Sequence, residues 1–130
     1  MTPLFKKLNL STQRVVHVLN APPEFECELS MLDGITVLRT MEGNVRFGMA
    51  FVTTVAERDT AGAALAQASQ GDTVLWMVYP KGSSKKYHCE FNRDSGWPAL
   101  TAAGFDTVRM VAVDADWSAL RFRRVEYIKK

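Results

Sequence analysis

Cysteine is scarce in this chain: only Cys27 and Cys89 occur among 130 residues. Two isolated thiols make neither a disulfide framework nor a C-x-x-C metal motif, and His17 and His88 have no H-x-x-x-H spacing. Metal coordination and thiol catalysis therefore have no basis in the sequence. Long apolar runs are missing too; nothing approaches the stretch of about 20 residues that a membrane-spanning helix needs. The start, MTPLFKKLNL, places Lys6 and Lys7 ahead of polar Ser11, Thr12, Gln13 and Arg14, which is not the pattern of an export signal. A soluble cytoplasmic protein with reduced thiols is expected. No internal repeat, low-complexity tract or dividing linker occurs, and the phosphate-cradling G-x-x-x-x-G-K-[ST] loop is absent.

What remains is ordinary globular composition. With 47% hydrophobic and 23% charged residues, collagen-like, coiled-coil and disordered chains are excluded. The length fits one domain, 1–130, with 1–12 read as a loosely ordered N-terminal segment. A domain of this size buries roughly two-thirds of the surface its unfolded chain exposes, so it needs no metal or disulfide staple. The net charge is +2, unevenly placed: residues 1–65 carry six basic against seven acidic side chains, and residues 66–130 carry ten against seven. The excess lies in Lys81, Lys85 and Lys86 and in a tail containing Arg121, Arg123, Arg124, Lys129 and Lys130. The pI of 8.6 falls below the range above about 9 that marks dedicated nucleic-acid-binding domains, so the excess suggests a local anion-binding surface more than a nucleic-acid protein, with an ordinary solvated basic face the first reading.

Strand and helix signals alternate along the chain. Residues 14–19 (RVVHVL) are β-rich and run into Asn20-Ala21-Pro22-Pro23, where the prolines suit a helix start. Phe25, Leu29 and Leu32 then fall on one helical face, with Glu24, Glu26 and Glu28 favouring its N-terminal half and Gly34 stopping it. Residues 35–38 make a short strand and residues 45–53 (VRFGMAFVT) a largely apolar, central one. Thr54 and Glu57 match the S/T-x-x-E capping box of a helix that carries Ala61, Ala64, Leu65 and Ala68 and stops at Gly71. Residues 73–79 (TVLWMVY) read as a strand buried on both faces. After the loop 80–92, Asp94 or Ser95 caps a short helix through Trp97 and Leu100 to Gly104. Strands at 108–113 and 120–128 close the chain as an antiparallel hairpin, with a bulge at adjacent Arg123 and Arg124. The predicted fold class is α/β: a single-domain mixed, mostly parallel sheet in the order βαββαβαββ, with helices on its faces and a C-terminal antiparallel hairpin.

The second half resembles the closing half of the class I methyltransferase fold, a Rossmann-like architecture. The likeness lies in a capped helix, an apolar strand ending in Tyr79-Pro80-Lys81, a helix ending in Ala103-Gly104-Phe105, and two strands joined at Asp114 to Trp117. The resemblance implies a nucleotide cofactor such as S-adenosylmethionine. The first half departs from the family pattern: Asn20-Ala21-Pro22-Pro23 stands in place of its glycine-rich loop, and Arg39 stands near its acidic ribose ligand. Three further segments, 79–87 (YPKGSSKKY), 94–97 (DSGW) and 116–124 (DWSALRFRR), resemble a family of small bacterial proteins of unknown function.

Ligands of open α/β sheets bind beyond the carboxyl ends of the strands, where the loop 80–86 should emerge. Lys81, Lys85 and Lys86 supply charge, Ser83 and Ser84 hydroxyls, and Gly82 close backbone approach. Arg93 could clamp an anion bidentately, and Trp97 could stack on a planar group. The expected ligand site is therefore Lys81, Ser83, Ser84, Lys85, Lys86, Arg93 and Trp97. Asp114 and Asp116 sit in a hairpin connection, where aspartate bonds local backbone, so they are read as structural. With no catalytic set and no cofactor assigned from the residues themselves, the leading expectation is a non-catalytic module binding a small anionic ligand or a macromolecular partner. The rival expectations are a divergent S-adenosylmethionine-like transferase and an interaction domain without a small ligand.

Overall fold

The computed structural model describes residues 2–91 and 96–128. In chain order the elements are α1 (Pro3–Lys7), β1 (Val15–Leu19), α2 (Pro23–Ser30), β2 (Thr36–Leu38), β3 (Val45–Phe51), α3 (Val55–Ala68), β4 (Ser69–Pro80), α4 (Pro98–Ala102), β5 (Phe105–Ala112) and β6 (Trp117–Arg124). A 3₁₀ turn at Val125–Tyr127 follows. The six strands form one sheet in the order β2-β1-β3-β4-β6-β5. β2, β1, β3 and β4 are parallel, whereas β6 runs antiparallel to both β4 and β5. This is the mixed sheet with a closing hairpin that the alternation of signals predicts.

Helices cover both faces because the central strands are apolar on both. Phe47, Met49 and Phe51 of β3 and Val74, Trp76 and Val78 of β4 pack beneath α1 and α2. Val52, Leu75, Met77 and Tyr79 face the other way, against Ala61 and Leu65 of α3 and Leu100 of α4. Phe25, Leu29 and Leu32 are buried as their spacing predicts. Gly48 marks the tightest approach between layers: a Cβ there would stand 2.8 Å from Leu65 Cδ2 and 2.9 Å from Val45 Cγ1.

Several local expectations change. Residues 3–7, within the segment expected to be loosely ordered, form α1; Thr2 caps it, and Phe5 and Leu8 are fully buried. The Trp76 indole fixes the segment by donating to the Leu8 carbonyl at 2.8 Å. α3 gives way to β4 at Ser69 without waiting for Gly71, whose positive φ of 65° falls inside the strand. α4 starts at Pro98 with Trp97 at its N-cap; Asp94 and Ser95, the expected caps, lie outside the described residues. β6 starts at Trp117, because Asp114 Oδ1 accepts the N–H groups of Asp116 and Trp117 at 2.8 Å and closes a tight turn. The bulge falls in β5, between Thr107 and Arg109, and not at Arg123 and Arg124. Those two arginines alternate regularly and find separate partners, Arg123 on Asp72 and Arg124 on the carbonyls of Gly71 and Ser69.

Candidate functional site

The parallel strands reverse their direction of progression between β1 and β3. From β1 the chain moves outward to β2 through α2; from β3 it moves to β4 through α3, on the opposite face. Crossovers that part in this way leave a crevice at the strands' carboxyl ends, the usual ligand position in open α/β sheets. Here it is a groove of about 410 Å³ lined by Leu19, Asn20, Ala56, Glu57, Thr60, Ala61 and Ala64. Asn20 ends β1 in the left-handed region, φ 60°, a conformation asparagine tolerates better than most residues. The α3 wall is built of small side chains. Glu57 is committed to the helix start: its Oε1 accepts from the Thr53 N–H (2.9 Å), the Thr53 hydroxyl (2.9 Å) and the Thr54 N–H (3.2 Å). These bonds, the Thr53 N–H first, hold its carboxyl below the ordinary carboxylate value.

The loop after β4 encloses a smaller cavity of about 220 Å³ lined in part by Lys81, Gly82, Ser84, Tyr87, His88 and Cys89. Ser84 holds the loop together: its hydroxyl donates to Asp116 Oδ1 at 2.8 Å and accepts from the N–H groups of Tyr87 (3.1 Å) and Lys86 (3.3 Å). Lys86 reaches Glu24 at 3.6 Å and lies over the Tyr87 ring. Lys81, Ser83 and Lys85 have no side-chain partner among the described residues, so they are the members of the expected site that stay available. Trp97 is a core ring instead of a stacking platform, packed on Tyr79, Phe91 and Phe122 at centroid distances of 5.6, 5.3 and 5.4 Å. Arg93 lies outside the described residues. The structure thus brings Lys81, Ser83, Ser84, Lys85 and Lys86 onto one loop but fixes two of them and sets Trp97 apart.

A cluster around one carboxylate escapes the sequence. Glu24, in the first turn of α2, accepts from the Tyr87 hydroxyl and the Trp117 indole and pairs with Lys86. The Tyr87 bond, then Glu24's own backbone N–H, keep the carboxyl below its ordinary value, and Glu24 in turn pushes the Tyr87 phenol up to about 12. An acidic side chain at a helix start is legible, but its partners are 63 and 93 residues away in sequence.

His17 is buried, its Nδ1 2.8 Å from the Thr40 carbonyl. Cys27 and Cys89 are free thiols, and burial raises the Cys89 pKa, which disfavours a thiolate. No group of three or more His, Cys, Asp or Glu residues is arranged for a metal among the described residues. Nor is any helix among them long and apolar enough to cross a membrane.

By sequence the chain matches no family model and no curated protein. By structure it resembles the glycopeptide N-methyltransferase MtfA, solved with sinefungin, with a TM-score of 0.55 at 10% identity over 92% of this chain and 83% of that one. The [4+2]-cyclase SpnF gives 0.55 at 9% identity, over 93% and 78%. The pyocyanin biosynthetic protein PhzM gives 0.51 at 12% identity over 94% of this chain, which spans only 54% of PhzM. The fold is methyltransferase-like. A methyltransferase and a cyclase among the neighbours show why that fold does not by itself set a reaction.

The residues can be tested against the S-adenosylmethionine that this fold implies. Pro22 and Pro23, which follow β1, have no N–H to offer an amino-acid carboxylate. The start of α2 already holds the carboxylate of Glu24. Arg39, near the end of β2, is tied bidentately to Glu26 at 2.6 and 2.7 Å. The methionyl and ribose ends of that cofactor therefore do not fit as the family pattern would have them.

Proposed function

We propose that the protein binds a small nucleoside-type ligand in the crevice between β1 and α3, as a divergent branch of the nucleotide-cofactor transferase architecture. One observation carries this reading. The groove of about 410 Å³ sits at the switch point of the sheet, with an apolar wall of Ala56, Ala61 and Ala64 and a polar rim of Asn20 and Thr60. That volume lies in the usual range for small-molecule sites, about 300 to 1,000 Å³. The ligand-bearing neighbour of the same fold supports it further. Amide-resolved NMR titration with adenosine, AMP, S-adenosylmethionine and S-adenosylhomocysteine tests it. Shifts should centre on Asn20 and on residues 56–64, and Thr60→Trp should abolish them while the circular dichroism stays unchanged. Because the methionyl group has no seat, adenosine and S-adenosylhomocysteine should bind with similar affinity. Absence of shifts with all four compounds overturns the reading.

A second reading rests on Lys81, which lines the cavity of about 220 Å³, and on Ser83 and Lys85 of the same loop, all without a side-chain partner among the described residues. In this reading the loop binds a small anion, joined by Arg93. Pyrophosphate should shift residues 81–87, and K81A with K85A should remove that response without lowering Tm. Unchanged affinity in the double variant overturns it.

A further inference from the structure

The hairpin β5–β6 gathers three arginines, one of which, Arg121, neither edge protection nor an ion pair among the described residues accounts for. Arg109 on β5 stands directly opposite Arg121 on β6, and paired residues in an antiparallel ladder project from the same face. Arg123, two residues on, shares that face. The α1 side is the one they occupy: Arg121 pairs in register with Trp76, whose indole reaches Leu8, and its Nη1 reaches Asn9 Oδ1 at 3.3 Å. Like charges placed opposite each other destabilise a sheet. Charged residues do protect exposed edges, which would explain Arg109 on the outer strand, but β6 is flanked by strands on both sides and Arg121 is half-buried.

The acidic residues nearby leave the cluster unanswered. Asp72 is spent on Arg123, which it binds through both oxygens at 2.6 and 2.7 Å. Asp106, opposite Arg123, turns its carboxylate back onto the Thr107 N–H at 2.8 Å. Arg109 and Arg121 have no carboxylate partner among the described residues. Moreover, the Arg121 Nε is shut from solvent and has no hydrogen-bond partner. A buried donor without an acceptor is rare and costly. Burial first, then the like charges of Arg123 and Arg109, hold the Arg121 pKa below its ordinary value against the opposing pull of Asp72.

We propose that Arg109 and Arg121, flanked by the Asp72-held Arg123, form a binding site for a dianionic phosphate group on the α1 face of the hairpin. Two guanidiniums that form no ion pair among the described residues, with Asp72 acting on Arg121 only through its field, match the charge of a phosphate monoester or free phosphate. Planar forks favour such bidentate contacts over a single point charge. The site lies on a different pair of strands from the nucleoside crevice and does not depend on it.

The test follows the arginine Nε–Hε resonances of the full chain during titration with inorganic phosphate, above its second ionisation, against chloride at equal ionic strength. The Arg121 signal should move with phosphate and not with chloride. Arg109→Ala, an exposed substitution, should weaken phosphate by about tenfold, the loss of one charge-assisted pair. Asp72→Asn should tighten it by releasing Arg123, which a purely structural role would not do. An Arg121 signal that is unmoved, or moved equally by chloride, overturns the site, as does unchanged affinity in Arg109→Ala. Shifts confined to residues 81–87 assign phosphate to the loop and overturn the site too. Tighter binding of a single-stranded oligonucleotide than of phosphate replaces it with a nucleic-acid surface.

Discussion

Glu24 shows how much one side chain can take on once the chain has folded. In sequence it is an acidic residue in the first turn of a helix, favoured there by the helix dipole. In the structure it also accepts from Tyr87 and Trp117 and pairs with Lys86, so the helix start is filled from within. This sets a direction for pH dependence. Below the ordinary phenol value of 10.0, Tyr87 keeps its proton in folded and unfolded chains alike, and the contact is complete. Above it the unfolded chain ionises first, so stability falls as pH rises toward the folded value of about 12. Absorbance titration of the phenolates should show a late component near the folded value that Tyr87→Phe removes. Of the expected ligand residues, the lysines on the loop 80–86 were legible as a basic, hydroxyl-rich turn. That Ser84 and Lys86 serve the fold was not, because their partners Asp116 and Glu24 come from distant segments.

At the scale of the element, α3 is the part most fully written in local sequence. Thr54 and Glu57 form the reciprocal cap that their spacing predicts. Thr54→Ala should cost about 1 kcal/mol, read as a lowered urea midpoint with an unchanged slope. The Glu57 carboxyl titrates lower in the folded chain than in the unfolded one, so its stabilisation is complete above the ordinary carboxylate pKa. It is lost as pH falls through the folded value, and Glu57→Gln should flatten that part of the acid profile. Gly48 belongs to β3 but is explained by α3. Its replacement by Ala would drive a Cβ into Leu65 and Val45 and should cost about 1–3 kcal/mol in thermal denaturation. The crevice walls were half visible: the strand end at Asn20 and the cap at Thr54 mark their positions. The alanines at 61 and 64 read only as members of a helix, because the chain does not say that the neighbouring crossover leaves on the other face.

For the whole molecule, α1 decides more than its five residues suggest. Phe5 packs against Phe25 and Phe47, and Trp76 donates to Leu8, so the N-terminal segment seals the face that α2 alone leaves open. Phe5→Ala should cost about 3–5 kcal/mol, a large fraction of the roughly 5–15 kcal/mol that holds such a domain together. Calorimetry would show a lowered Tm with one cooperative transition retained. The sequence by itself determined the alternation of strands and helices, the two-faced burial of β3 and β4, and the closing hairpin. Those features follow from hydrophobic period and turn chemistry within a few residues. Only the tertiary structure decided which side chains share a site: the opposition of Arg109 and Arg121 depends on a bulge in β5, and the Glu24 cluster on loops meeting across the sheet. Local pattern fixes which face a residue seeks, but register and crossover direction fix its neighbours, and both are set by packing between segments far apart in the chain.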